Sequence, residues 1–359
     1  MGVASASSRG HQVQPWHLLP RRRAPQPGGA GCWLPTLPPG CESCWNSRDH
    51  RLKESATVTA FSQYPEPTYT VVHLSDTHFL ADRQAQFGRV DTDRGLERAL
   101  ARLQAEIGRA DLVVITGDVA DLGEPDAYDR IARLVEPAVA RLDAELLWVM
   151  GNHDERITFS ARLLGAETAE PLDRVLMIGG LRVIALDSTV PGYHHGELTD
   201  AQLAWLSDVL AEPAPDGTVL ALHHPPLPTR VKVMGLVELR AAHRLAEVIT
   251  GTDVRAILAG HLHYSTFGTF AGVPVSVAAA SCYTIDPLPG AREFVGVDAH
   301  HAFSLVDVFP DRIVHSVVPI DSSELVTGFS PAFIAGLEAM SPGERDQVFS
   351  RKSAPVSQQ

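Results

Sequence analysis

Cysteine is scarce in this chain, and three of its four cysteines, Cys32, Cys41 and Cys44, fall within the first 60 residues. Only Cys282 is left for the rest, so no disulfide framework supports the fold. Cys41-x-x-Cys44 is half of a zinc-site pattern with no second half, and reads as a chance pair in an unstructured arm. No apolar run is long enough to span a membrane. No apolar segment follows Arg21-Arg22-Arg23, which argues against a secretory signal. The expected location is therefore cytoplasmic, with peripheral membrane contact through residues 323–359 left open. Positive charge is also scarce beyond the arm. Residues 1–60 carry seven Lys/Arg against three Asp/Glu, so the net charge of -13 leaves the remainder at -17. Such an acidic body is a poor surface for nucleic acid, and none is expected as a partner. An anionic substrate stays open, because bound cations invert a local field.

What is present is a soluble globular composition, 45% hydrophobic and 20% charged over 359 residues, with ample material for a core. Residues 1–60 hold seven prolines and a Gly-Gly-Ala-Gly run without periodicity. They read as a disordered extension, or as an artefact of a start codon placed too early. Residues 61–322 read as one catalytic domain, and 323–359 as a peripheral tail with a helix near Phe329–Met340.

From Thr68 the pattern is regular. Apolar runs at Tyr69–Leu74, Leu112–Ile115 and Leu146–Met150 predict strands. Between them, Leu96, Leu100, Leu103 and Ile107, then Ile131, Val135, Ala138 and Leu142, repeat at helical spacing. Strand alternating with helix is the signature of a largely parallel sheet. Val175–Ile178 and Val183–Leu186 flank Gly179-Gly180 as a hairpin. Leu198–Leu210 and Val237–Ile249 read as helices, Val219–Leu222 and Val254–Leu258 as strands. Val273–Val277, Phe303–Val308 and Ile313–Val318 read as closing antiparallel strands.

Five of these strands end alike. Asp76 and His78 follow the first, Asp118 the second, Asn152-His153-Asp154 the third, His223-His224 a fourth, and His261 and His263 a fifth. Taken singly, a histidine at a strand end is usually a core or capping residue, and Gly-Asp a turn. Five at the same place in strand order are not coincidence, because open α/β sheets bind ligands at the carboxyl ends of their strands. In Asp76-x-His78 and His261-x-His263, positions i and i+2 share one side if the chain is extended. Carboxylate with imidazole suits Zn, Mn, Fe or Ni, and with no thiolate expected nearby, soft-metal and iron–sulfur sites are disfavoured. The donors outnumber what one ion needs and suit two ions sharing a carboxylate.

Asp76-x-His78, Gly117-Asp118, Gly151-Asn152-His153-Asp154, His223 and Gly260-His261-x-His263 resemble the five motifs of the calcineurin-like metallophosphoesterases, in order. The stretches Leu186–Glu197, Ala221–Pro226 and Gly260–Tyr264 resemble the class III bacterial cyclic-nucleotide phosphodiesterases within that superfamily. The resemblance covers roughly Thr68 to Pro319 and leaves out residues 1–60. It implies an α/β fold, a four-layer α-β-β-α sandwich of two mixed sheets. It implies one metal, iron in many relatives, at Asp76, His78, Asp118 and His263. A second, often manganese, falls to Asp118, Asn152, His223 and His261, with Asp118 bridging; Zn, Co or Ni are alternatives. His223 rather than His224 is the ligand, because relatives place it two residues before the proline, here Pro225. His224 then supports or packs. Asn152, His153 and His194 are expected to meet the substrate phosphate, with the choice between His194 and His195 open. His153 is expected to protonate the leaving group, and Asp154 to orient an imidazole.

The activity so implied is hydrolysis of 3′,5′-cyclic nucleotides, cAMP first, to 5′-nucleoside monophosphates by attack of a metal-bridging hydroxide. Other phosphodiesters are the nearest rivals: 2′,3′-cyclic nucleotides, glycerophosphodiesters and lipid-linked diesters. A non-catalytic scaffold ranks lower, because such proteins lose metal ligands and this chain keeps all seven. Relatives commonly form homodimers.

Overall fold

A computed structural model describes residues 61–289, 294–321 and 324–352. The arm that the sequence leads one to expect as disordered or artefactual, with its Cys41-x-x-Cys44 pair, and the end of the tail lie outside the described residues.

Strand β1 spans Tyr69–Leu74, α1 Thr92–Glu106, β2 Leu112–Thr116, α2 Pro125–Arg141 and β3 Glu145–Val149. A short helix α3, Arg156–Leu163, follows the Asn152–Asp154 segment and has no strong periodicity to announce it. The hairpin is β4, Arg174–Ile178, and β5, Leu181–Leu186, turning through Gly179 at φ +57°. Next come α4, Asp200–Leu210; β6, Thr218–Leu222; α5, Ala242–Ile249; and β7, Val254–Ala259. The chain then adds β8, Thr266–Phe270; β9, Val273–Val277; β10, Thr284–Ile285; β11, Gly296–Val297; β12, Ala302–Val308; and β13, Ile313–Pro319. Helix α6, Pro331–Glu338, lies within the expected Phe329–Met340 segment. Among the described residues, no helix is long and apolar enough to cross a membrane.

The helices start where their caps say they should. Asp91 accepts from Arg94 N at the head of α1, and Thr199 with Gln202 forms a capping box on α4. Helix α5 starts at Ala242 rather than Val237, because Lys232–Leu236 winds into a 3₁₀ turn first.

The strands form two main sheets, one in the order β13-β12-β1-β2-β3, the other β4-β5-β6-β7-β9-β8. Both are mixed. In the first, β1-β2-β3 is parallel and β12 and β13 run antiparallel. In the second, β5, β6, β7 and β9 are parallel, with β4 and β8 antiparallel at the edges. Strand β9 is therefore not the antiparallel strand expected; the unanticipated β8 turns the chain first, so β9 enters beside β7 in the parallel sense.

Period-2 alternation assigns each strand's two faces to two cores. Leu112 and Val114 of β2, Leu147 and Val149 of β3, Val219 and Ala221 of β6, and Ala256 and Leu258 of β7 pack between the sheets. Val113 and Ile115 of β2 and Trp148 and Met150 around the end of β3 meet α1 and α2 through Leu96, Leu103 and Ile131. Leu220, Leu222, Ile257 and Ala259 meet α4 and α5 through Leu206, Leu245 and Ile249. Helix, sheet, sheet and helix thus make four layers. The parallel strands of both sheets end on the same side, where the polar clusters stand.

Candidate active site

The ends of β1, β2, β3, β6 and β7 bring all seven expected ligands together. Asp76, His78, Asp118, His223, His261 and His263 are buried. Asn152 and His153 are half-buried, and His194 is exposed, so the cluster opens to solvent on that side.

Two groups form around one carboxylate. In the first, His263 Nε2 lies 3.3 Å from Asp76 Oδ1 and 3.1 Å from His78 Nε2. His78 Nε2 lies 3.4 Å from Asp118 Oδ2. In the second, His223 Nε2 lies 3.2 Å from the same Asp118 Oδ2, 3.0 Å from Asn152 Oδ1 and 3.3 Å from His261 Nδ1. One oxygen of Asp118 therefore faces both groups.

The backbone that achieves this is left-handed rather than extended. Asp76, His78, Asp118, His261 and His263 have φ of +52°, +46°, +48°, +71° and +57°. The i, i+2 argument for an extended chain is replaced by a tight turn at each strand end. Such conformations cost free energy in non-glycine residues and collect at functional sites. Two glycines make room. A Cβ on Gly151 would collide with Asp118 N and Oδ1, and one on Gly260 with Ser75 Oγ and Asp76 Oδ2.

The hydrogen bonds decide which nitrogen of each ring faces the centre. His263 Nδ1 donates to Tyr283 O at 3.0 Å, His223 Nδ1 to Thr116 O at 2.7 Å, and His78 Nδ1 to Asp121 Oδ1 at 2.7 Å. In the neutral rings, each Nε2 then presents a lone pair inward. Those lone pairs face one another, two carboxylates and the Asn152 carbonyl. Acceptors confronting acceptors in a buried site are unfavourable unless a cation stands among them. His261 Nε2 is buried without a hydrogen-bond partner, which leaves Nδ1 as its inward atom.

The electrostatics agree. Burial works against charge on His223, but Asp118 and Asp76 outweigh it and raise its pKa to about 9. Burial likewise opposes charge on His263 and His78, yet both pKa values end well above the ordinary imidazole range; Tyr283, Cys282 and Asp76 raise His263, and Cys282, Asp118 and Asp121 raise His78. The pocket draws in positive charge, as protons or as metal ions. Contrary to the sequence expectation a thiol does lie close, since Cys282 groups with His78 and His263; its Sγ stands 3.7 Å from His263 Nδ1, the nitrogen committed to Tyr283 O, rather than among the facing Nε2 atoms. The oxygen and imidazole donors that face the centre fit two hard or borderline cations.

His224 stands beside His223 and His261, with both of its nitrogens engaged elsewhere. Its Nδ1 pairs with Ser188 Oγ at 2.8 Å and its Nε2 with His194 O at 3.1 Å, so it anchors the His194 loop. Of the two loop histidines, His195 is buried and His194 reaches Asn152, with Nδ1 3.0 Å from Asn152 Nδ2. His153 packs edge-on against His78 at 4.8 Å and beside His194 at 5.0 Å. Its Nδ1 lies 2.9 Å from Asp121 O. Burial lowers its pKa, against the pull of Asp118.

Asp154 does not orient an imidazole. Its carboxylate accepts from Val119 N at 3.1 Å, Ala120 N at 2.9 Å and Gly151 N at 2.9 Å, and from Tyr128 Oη at 2.9 Å. It thus ties the ends of β2 and β3 together under Asp118. The carboxylate that does orient an imidazole is Asp121, which sequence reasoning passed over. Gln86 holds Asp121 in turn, with Nε2 2.9 Å from Oδ1. The only sequence signal for Asp121 is its place three residues after Asp118.

Two packed mixed sheets gather carboxylate and imidazole ligands at one set of strand ends, in two groups that share Asp118. The family model of the calcineurin-like phosphoesterases matches residues 69–265, and the chain belongs to that family. It is 49% identical over 307 residues to a cAMP/cGMP dual specificity phosphodiesterase of Mycobacterium tuberculosis, covering 84% of this chain and 94% of that one. It is 32% identical over 225 residues to a 3′,5′-cyclic adenosine monophosphate phosphodiesterase of Pseudomonas aeruginosa, covering 62% and 79%. A dimetal phosphatase from Danio rerio shares the fold with a TM-score of 0.53 at 16% identity, over 71% of this chain and 98% of its own.

Proposed function

We propose that this protein hydrolyses 3′,5′-cyclic nucleotides, cAMP first, to 5′-nucleoside monophosphates. The observation that carries the reading is Asp118 Oδ2, placed within 3.4 Å of His78 Nε2 and 3.2 Å of His223 Nε2, where one carboxylate would serve two cation sites. The substrate class is supported by the Mycobacterium and Pseudomonas relatives, whose names share cAMP.

Asp76, His78, Asp118 and His263 would hold one ion, and Asp118, Asn152, His223 and His261 the other. Iron at the first and manganese at the second is our assignment. When bound, the two ions neutralise the phosphoryl oxygens and lower the pKa of water, so that a hydroxide nucleophile exists near neutral pH. The chain's own work is orientation and proton transfer. The Tyr283 and Thr116 carbonyls and Asp121 lock three imidazoles in the ligating tautomer. Asn152, His153 and His194 line the open side and meet the phosphate. His153 keeps its proton on Nδ1, against Asp121 O, which leaves Nε2 as the titrating atom. An arriving anionic diester favours the imidazolium, which then gives its Nε2 proton to the departing 3′ oxygen. The P–O3′ bond breaks as the oxygen of water joins phosphorus, leaving the 5′-monophosphate.

A homodimer and a cytoplasmic site of action belong to the same proposal. The test is a product assay with cAMP, cGMP, 2′,3′-cAMP and a glycerophosphodiester on metal-reconstituted protein. The highest kcat/KM should fall on a 3′,5′-cyclic nucleotide; a higher value on either of the last two refutes the substrate assignment.

A further inference from the structure

The segment between β1 and α1 closes a tight turn over Gln86–Val90. Gln86 N donates to Val90 O at 2.9 Å, and Gln86 O accepts from Arg89 N at 3.1 Å and Val90 N at 3.0 Å. Both residues at its tip are left-handed, Phe87 at φ +53° and Gly88 at φ +67°. Glycine adopts that conformation freely, whereas an aromatic side chain there is an outlier. Asn or Gly is the ordinary occupant of such a tip. Burial does not account for the phenylalanine, since Phe87 is 70% exposed.

Its position accounts for it better. The Phe87 ring meets Tyr283 edge-on, with centroids 5.4 Å apart and planes at 76°. Tyr283 in turn packs against His263 at 4.5 Å and lies 6.5 Å from His78. The turn is also tied to the metal-ligating cluster by hydrogen bonds. Gln86 Nε2 donates to Asp121 Oδ1 at 2.9 Å, and the same oxygen accepts from His78 Nδ1 at 2.7 Å. Phe87 is thus an exposed aromatic on a rigid mount, one ring removed from two of the ligating histidines. In a cyclic nucleotide, the base stands one ribose away from the phosphorus.

Resting on the cyclic-nucleotide reading, we propose that Phe87 is the platform on which the purine of the substrate stacks. Stacking engages the π-face, which every base has, so this contact accepts adenine and guanine alike. Strain held at a position that contributes little burial is characteristic of a residue kept for ligand contact.

The test compares wild type with Phe87→Ala, Phe87→Tyr and Phe87→Asn on cAMP, cGMP and methyl p-nitrophenyl phosphate, a diester without a base. Phe87→Ala should lower kcat/KM for both cyclic nucleotides by a similar factor, roughly five- to hundredfold. The loss should lie in KM rather than kcat and exceed the loss on the base-free diester by about tenfold. Phe87→Tyr should restore most of it. Phe87→Asn relieves the left-handed cost, so it should raise Tm while raising KM for cAMP. Equal losses on all three substrates would mark a structural role and overturn the proposal. So would a Phe87→Asn protein of higher Tm and unchanged KM. Wild type that cleaves the base-free diester and no cyclic nucleotide would instead overturn the substrate reading beneath it.

Discussion

The Nε2 atoms of His78 and His263 face each other at 3.1 Å, each with its Nδ1 hydrogen committed elsewhere. Two neutral imidazoles do not choose that arrangement in a buried pocket. It is favourable only when a proton or a cation lies between them. The first expected outcome is therefore that chelation inactivates the protein and exposes it to local rearrangement at the ends of β1 and β7. Adding Mn²⁺ should restore turnover. A chelated protein with full activity and no bound metal would refute the dinuclear reading.

Protons and metal compete for the same nitrogens, and the sign of the pH effect follows. Asp118 and Asp76 outweigh burial and push the His223 pKa up to about 9. Below that pH the metal-free protein holds a proton that the metal must displace. Apparent metal affinity should fall as pH falls, about tenfold per pH unit for each proton displaced. Chelator-competition titrations at neutral and mildly acidic pH measure the slope. An affinity independent of pH would show that His223 Nε2 is not a ligand atom.

Asn152→Ala removes the carbonyl that lies 3.0 Å from His223 Nε2 and the amide that reaches His194. The second metal should weaken and activity should fall by at least about 10²-fold. Metal analysis of the dialysed variant should find one ion per chain, not two. A variant with both ions and wild-type turnover would remove Asn152 from the site.

Asp154→Ala should act through stability. It strips one acceptor from three backbone N–H groups and from Tyr128 Oη, all at 2.9–3.1 Å. Leaving three buried donors unsatisfied costs at least about 3 kcal/mol. For a domain of this size that is a fall in Tm of roughly 6–12 °C. Differential scanning calorimetry reads it directly; a shift below about 2 °C would mean that water replaces the carboxylate.

How far the sequence could be read depended on the range of the interaction. The strand ends were legible because an apolar run followed by Asp, Asn or His contradicts burial, and that contradiction is local. The partition of the strands into two sheets was not. Nothing within Val183–Leu186 says that β5 leaves the sheet of β1, β2 and β3; the family resemblance carried that expectation. The direction of β9 is hidden for the same reason, since it depends on β8, whose Thr266–Phe270 run is only partly buried. Asp154 and Asp121 are the clearest case at the site. Asp154 closes a motif and Asp121 follows one, each shortly after an expected ligand, and only the folded chain shows which one meets an imidazole. Backbone N–H groups point at Asp154, whereas His78 Nδ1 points at Asp121, 43 residues away.

The same geometry makes His153 the residue whose substitution is most informative. Its ring lies 4.8 Å from that of His78 without joining the acceptor cluster, and its backbone N donates to Asp118 Oδ1 at 2.8 Å. His153→Ala keeps that backbone bond, so both metals should remain bound. On the proposed mechanism, what it removes is the proton donor at the open side. A leaving group as basic as the 3′ oxygen of cAMP needs that proton, so kcat should fall by roughly 10²–10⁴-fold. A nitrophenolate leaves without one, so a nitrophenyl diester should lose far less. If both substrates slow equally, the ring serves to bind phosphate rather than to deliver a proton. If neither slows, His153 plays no part in turnover, and the donor must be sought at His194.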